Sequence, residues 1–179
     1  HWKKIYFKLG GLLMDKYAVV KNNFGYFEIA NKPTAQELKD HYSRRYYQEN
    51  LGAYKKAYSD DEIEYFLNKL EQKYFCANKF LKNQKKRYLD IGCGEGWGLS
   101  FFVRMDWECL GLDYSSFGVQ KHNPHCAQYF KQCNVFEELE TLADRKSQWS
   151  IVLLDNVLEH VLDPLALLQK IHSVVDVGG

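Results

Sequence analysis

Glycine recurs at every second position from 92 to 98 in the run Leu89-Asp90-Ile91-Gly92-Cys93-Gly94-Glu95-Gly96-Trp97-Gly98, and this narrows the local folds open to the chain. The apolar residues at 88–91 read as a buried strand, and those at 96–104 as a helix. A glycine-dense turn between them lets the backbone bend sharply and approach a ligand with no Cβ in the way. Further apolar runs at 109–113, 129–133 and 150–154 alternate with helical stretches at 115–122, 136–142 and 164–175. Such alternation predicts an α/β fold: a Rossmann-like open parallel sheet with helices on both faces. Ligands of such sheets bind beyond the carboxyl ends of the strands, where strand order reverses.

Before about residue 86 the chain is rich in Tyr and Phe and leans towards helix. Residues 17–20 and 25–29 flank Asn22-Asn23, which predicts a β-hairpin. Thr34-Ala35-Gln36-Glu37 and Ser59-Asp60-Asp61-Glu62 read as capping boxes. Leu38, His41, Tyr42 and Arg45 follow the first at helical spacing. Ile63, Phe66, Leu67, Leu70, Tyr74 and Leu81 form one apolar face behind the second. That helix is expected to cover one face or edge of the sheet. The chain thus divides into a hairpin and helical extension, 1–85, read as a lid or substrate region, and a Rossmann-like domain, 86–179. Tyr42, Tyr46, Tyr47, Tyr54 and Tyr58 are candidates for an acceptor pocket or lid, although their irregular spacing also fits plain core or surface aromatics.

The glycine spacing is GxGxG. A dinucleotide fingerprint, GxGxxG, needs glycine at 97, where the chain has Trp97. Asp90 and Glu95 also bracket the turn, and carboxylates there repel a pyrophosphate but suit a cationic ligand. Asp113 lies about 20 positions beyond the turn, where an acid can accept hydrogen bonds from both ribose hydroxyls. An Asp before Ser115 can equally cap a helix. Asn134 at the end of the third run fits a contact to an adenine amino group and fits a turn residue equally well.

The segment 89–98 resembles motif I of class I S-adenosylmethionine (SAM) dependent methyltransferases, E/D-x-G-x-G-x-G, at Asp90, Gly92, Gly94 and Gly96. The run Val152 to Pro164, with Asp155-Asn156, Glu159-His160 and Asp163-Pro164, resembles the corresponding segment of small-molecule methyltransferases of ubiquinone and menaquinone biosynthesis. More loosely, residues 23–28, 32–34, 46–47 and 58–60 resemble extensions of methyltransferases linked to surface polysaccharides. The resemblance implies SAM as cofactor, held by Asp90, Gly92, Cys93, Gly94, Gly96, Asp113, Tyr114, Asn134, Asp155 and Asn156. It places Glu159 and His160 beside the acceptor, with His160 as general base for a hydroxyl. Alternatively this pair starts a helix, or binds a divalent metal as in some quinone-type enzymes. No Asn/Asp-Pro-Pro-Tyr motif follows the fourth strand, which argues against nucleic-acid bases or amide nitrogens as acceptors. The expected activity is therefore methyl transfer to a small-molecule hydroxyl, on a sugar or polysaccharide precursor or a quinone-like ring. The alternatives are an NAD(P)-dependent oxidoreductase or epimerase, and a SAM-binding module without turnover.

Composition narrows the setting. No apolar run nears the roughly 20 residues of a membrane helix. Five cysteines without a CxxC pair argue against a disulfide framework or zinc site and favour a reducing, cytoplasmic compartment. Residues 1–87 carry 18 Lys and Arg against 10 Asp and Glu, and residues 88–179 carry 6 against 13. A basic half can recruit an anionic substrate. Its dispersed charges slightly favour plain packing or solvation. Four strands where a class I domain has seven, with His1 at one end and Gly178-Gly179 at the other, give the expectation of a fragment truncated after the fourth strand.

Overall fold

The computed structural model describes residues 18–44, 57–81 and 85–179. An antiparallel hairpin of β1 (Val19–Lys21) and β2 (Phe27–Ile29) leads into helices α1 (Ala35–Arg44) and α2 (Asp60–Asn78). Both helices open on reciprocal capping boxes. The Thr34 hydroxyl accepts from the Glu37 amide while the Glu37 carboxylate accepts from the Thr34 amide. Ser59 and Glu62 repeat the arrangement. Each cap contributes about 1 kcal/mol to a helix that would otherwise start with unpaired amides.

Strands β3 (Arg87–Ile91), β4 (Glu108–Asp113), β5 (Phe130–Gln132) and β6 (Ile151–Leu154) form a parallel sheet in the order β5-β4-β3-β6. The helices between and after them are α3 (Trp97–Val103), α4 (Phe117–His122), α5 (Val135–Asp144) and α6 (Pro164–Val174). Side chains alternate across the sheet with period two. Leu89, Ile91, Leu112, Val152 and Leu154 pack with Leu139 and Leu142 of α5 and Leu167 and Val174 of α6. Tyr88, Cys109, Ile151 and Leu153 pack with Leu99 and Phe102 of α3, Val119 of α4 and Tyr74 of α2. Helices thus cover both faces, as expected for an α/β fold. The chain steps from β3 out to β4 and β5 and returns to set β6 on the other side of β3. Strand order reverses there, and the carboxyl ends of β3, β4 and β6 open onto one crevice.

Several boundaries move for local reasons. The hairpin turn is wider than Asn22-Asn23: the Asn22 carbonyl accepts from the Gly25 amide, and Gly25 takes φ +91°. A 3₁₀ turn, Pro124–Tyr129, consumes the start of the expected third strand, and β5 keeps three residues. Helix α2 ends at Asn78, so Leu81 lies beyond it, though it still packs against the core. Among the expected residues, Tyr17, Arg45, Tyr46, Tyr47 and Tyr54 lie outside the described residues, as do the side chains of His41 and Tyr42. Among the described residues, no helix is long and apolar enough to cross a membrane.

Helix α3 starts close under β3. A Cβ on Gly98 would lie 2.3 Å from both the Asp90 carboxylate and the Tyr88 hydroxyl, which is why only glycine fits. Gly98→Ala is expected to cost about 1–3 kcal/mol through overpacking. Urea unfolding measures it, and an unchanged midpoint would contradict the close approach.

Candidate functional site

The crevice is a cavity of about 580 Å³, within the size range of small-molecule sites. The turn after β3 forms its floor. Gly92 takes φ +67°, and a Cβ there would lie 2.4 Å from the Val157 side chain, so the residue type is fixed by conformation and by space. The Gly94 amide donates to the Asp113 carboxylate at 2.9 Å, while the Ser115 amide donates to the other oxygen at 3.0 Å. Asp113 therefore ties the turn to the end of β4. The carboxylate retains acceptor capacity for a further donor. Burial pushes the Asp113 carboxyl above its usual range, and the amides of Ser115, Gly94 and Tyr114 oppose that rise.

Asp90 is buried beneath the turn, and desolvation raises its carboxyl to about 7, with Asp113 and Asp155 adding to the rise. The nearby Tyr88 hydroxyl and Lys73 act in the other direction. Burial, with Asp90 and Asp113 nearby, also holds the Cys93 thiol well above its normal value, so Cys93 is a neutral wall residue. On the far side, Tyr114 donates from its hydroxyl to the Asn134 side-chain oxygen at 3.2 Å. Asn134 caps α5 through the Phe136 amide and also lines the cavity.

Asp155 and Asn156 leave the end of β6 and line the same cavity. Asn156 takes φ +55°, a left-handed conformation that Asn tolerates better than most residues. His160, on a 3₁₀ turn Leu158–His160, lines the cavity; Glu159 is exposed and outside the lining, 3.9 Å from the His160 ring. Every residue expected to contact a cofactor thus converges on one crevice except Gly96, which is buried at the head of α3 with φ +78°. Glu95, expected to bracket the turn with its charge, instead accepts hydrogen bonds from Tyr58 at 2.8 Å and from the Trp97 indole at 2.8 Å. Of the other acids lining the crevice, Asp90 is buried and Asp155 pairs with Lys73 of α2.

Sequence reading missed the contribution of α2. Phe66, Lys69, Leu70 and Lys73 recur at i, i+3, i+4 and i+7 and line the cavity, joined by Ala35 and Leu38 of α1. Lys73 pairs with Asp155. The sequence reads residues 1–85 as a lid or substrate region without singling out Lys69 and Lys73, which interleave with the apolar stripe.

A parallel sheet in this order, a glycine-rich turn after its first strand and an acid at the end of the second define the Rossmann-like fold of class I methyltransferases. The magnesium protoporphyrin IX methyltransferase of Synechocystis PCC 6803, solved with bound SAM, shares it at a TM-score of 0.58 with 13% identity, over 83% of this chain and 75% of that one. The plantazolicin methyltransferase BpumL, solved with S-adenosylhomocysteine (SAH), matches at 0.50 with 18% identity, over 65% and 45%. A family model described as a methyltransferase domain matches residues 59–179, and the chain belongs to that family, whose class I members use SAM as cofactor. Similar curated proteins include the ubiquinone biosynthesis O-methyltransferase of Ruegeria pomeroyi, 33% identical over 94 residues, 52% of this chain and 38% of that protein. The one from Bradyrhizobium sp. is 31% identical over 114 residues, 58% and 44%. The chain spans less than half the length of these relatives.

Asp90 supplies a pH test. Its folded pKa of about 7 exceeds the ordinary carboxyl value of 3.8, so the folded state holds the proton more tightly. Stability from this group is complete below about pH 4 and is lost as pH rises towards 7. Asp90→Asn is expected to flatten that decline in a plot of melting temperature against pH. An unchanged slope in the variant would assign the decline to another group.

Proposed function

We propose that this crevice binds SAM and that the chain is the cofactor-binding part of an enzyme moving a methyl group to a hydroxyl of a small, quinone-like acceptor. The observation that carries the reading is the meeting of the glycine turn, Asp113 and Asp155-Asn156 at the ends of three adjacent strands. The residues suit the ligand. Asp90 and Asp155 offer negative charge to an ammonium and a sulfonium, and a cation there would favour the ionised form of the buried Asp90. Asp113 has lone pairs left for ribose hydroxyls. Tyr114 and Asn134 stand where an adenine would lie, and the backbone of Gly92, Cys93 and Gly94 leaves room for it, with Gly96 shaping the turn.

SAM supplies a methyl group already activated on sulfur. The chain's tasks are then alignment and exclusion of water. Phe66, Leu38, Val161 and Leu162 give the crevice apolar walls. In this reading His160 would take the proton from the acceptor hydroxyl, with Glu159 next to it on the turn, and the sulfur–methyl bond of SAM would break to leave SAH. The names of the ubiquinone O-methyltransferases and the apolar walls favour a quinone-like acceptor over a sugar. Residues 1–85 serve as the lid or substrate region, consistent with α1 and α2 lining the crevice. Five unpaired thiols suit a reducing, cytoplasmic setting.

Calorimetry of the chain with SAM, SAH and NAD tests the reading. Binding of the first two without NAD is expected, and NAD binding alone would refute it. Asp113→Ala is expected to weaken SAH by about one to two factors of ten, at roughly 1.5–3 kcal/mol for a hydrogen bond to a charged group. It should weaken 2′-deoxy-SAH much less, and equal losses for the two ligands would remove the ribose role. In the full-length enzyme His160→Ala should lower turnover by about 10²–10⁴-fold while leaving SAH affinity intact. Unchanged turnover would reduce Glu159-His160 to a structural turn.

A further inference from the structure

Glu95 occupies the middle of the glycine-rich turn and is buried. One carboxylate oxygen accepts from the Tyr58 hydroxyl at 2.8 Å and the other from the Trp97 indole N–H at 2.8 Å. His122 Nε2 lies 3.4 Å from the first oxygen, and the Asn123 side-chain amide donates to the Glu95 carbonyl at 2.8 Å. Tyr58 immediately precedes Ser59, the N-cap of α2. Its ring packs at 5.0 Å from Phe66, 5.1 Å from His122 and 5.9 Å from Trp97. The first turns of α2 are thus joined to the turn that forms the floor of the crevice.

That junction matters because α2 brings Phe66, Lys69, Leu70 and Lys73 to the crevice on one stripe. A small rotation of the helix about its axis would withdraw all four together. Apolar packing is non-directional and resists such rotation weakly. A buried carboxylate accepting two hydrogen bonds is directional and strong. We propose that Glu95 is a positioning residue that couples the cofactor turn to α2 through Tyr58 and Trp97, so that the floor and the helical wall of the crevice are ordered together. This rests on the reading of the crevice as a SAM site.

The test combines calorimetry with SAH and amide hydrogen exchange at residues 60–78 and 92–98. Tyr58→Phe keeps the ring and removes one bond. It is expected to weaken SAH about tenfold, the scale of one such bond, and to speed exchange in the turn. Glu95→Ala should do at least as much, and adding Tyr58→Phe to it should change little. Glu95→Gln should restore most of the affinity, because the amide oxygen can accept from Trp97 while the amide N–H donates to the phenol oxygen. A role in stability alone would lower the melting temperature without this pattern. Wild-type affinity in Tyr58→Phe overturns the proposal, as does weaker binding with unchanged exchange in the turn. If the wild type itself fails to bind SAH, the functional reading falls and exchange alone decides: faster exchange at 92–98 in Tyr58→Phe sustains the coupling, and unchanged exchange overturns it.

Discussion

The hydrogen bond from the Gly94 amide to the Asp113 carboxylate holds the geometry of the crevice together. It joins the turn after β3 to the end of β4, two points that the parallel register already brings level, with Ile91 opposite Leu112. The carboxylate gives up hydration to make this bond and a second one to Ser115, and in return the turn keeps a single path over the sheet. With the turn fixed, Gly118 of α4 can approach the Gly94 carbonyl, where a Cβ would lie only 2.5 Å away. The start of α3, the start of α4 and the floor of the crevice meet around that contact, which the bonds from the Gly92 and Cys93 amides to the Leu112 carbonyl reinforce.

The acids of the crevice differ in burial: Asp90 is buried, Asp113 half-buried and Asp155 exposed. Asp90, Asp113 and Asp155 face a common volume, and Lys73 reaches in from α2 to pair with Asp155. Desolvation is the largest influence on Asp90 and Asp113, and both carboxyls are pushed up by it. A cationic ligand would relieve that cost, which an anionic one would increase. That effect belongs to Asp90 and Asp113, since Asp155 is exposed and paired with Lys73. Glu95 shows the contrast, since its charge is consumed by Tyr58 and Trp97.

The N-terminal elements are part of the same physical unit. Tyr74 of α2 packs edge-on against Phe102 and Trp107, with ring centroids 5.8 and 5.9 Å away, and so fixes the helix on the sheet's α3 side. The Lys32 ammonium donates to the Leu162 carbonyl at 2.9 Å and pairs with Glu28 at 2.8 Å, which ties the segment after the hairpin to the loop between β6 and α6. The family model matches from residue 59 onward and so spans α2 as well as the sheet.

By itself the sequence determined the strand and helix alternation, the two capping boxes and the placing of Asp90, Asp113 and Asp155 at or near the ends of their strands, with Gly92 and Gly94 in the turn after the first. Each of these is local: periodicity, turn chemistry and cap spacing act within a few residues. Only the tertiary structure decided what Glu95, Gly98, Lys73 and Tyr58 do. Glu95, Tyr58 and Lys73 have partners far along the chain, with 37 positions between Tyr58 and Glu95 and 82 between Lys73 and Asp155. Glu95 reads as a free charge in the sequence because nothing nearby announces Tyr58. Whether a carboxylate faces a ligand or is spent inside the protein depends on which donors folding brings within 3 Å or so, and hydrogen bonding is too short-ranged for spacing along the chain to show it.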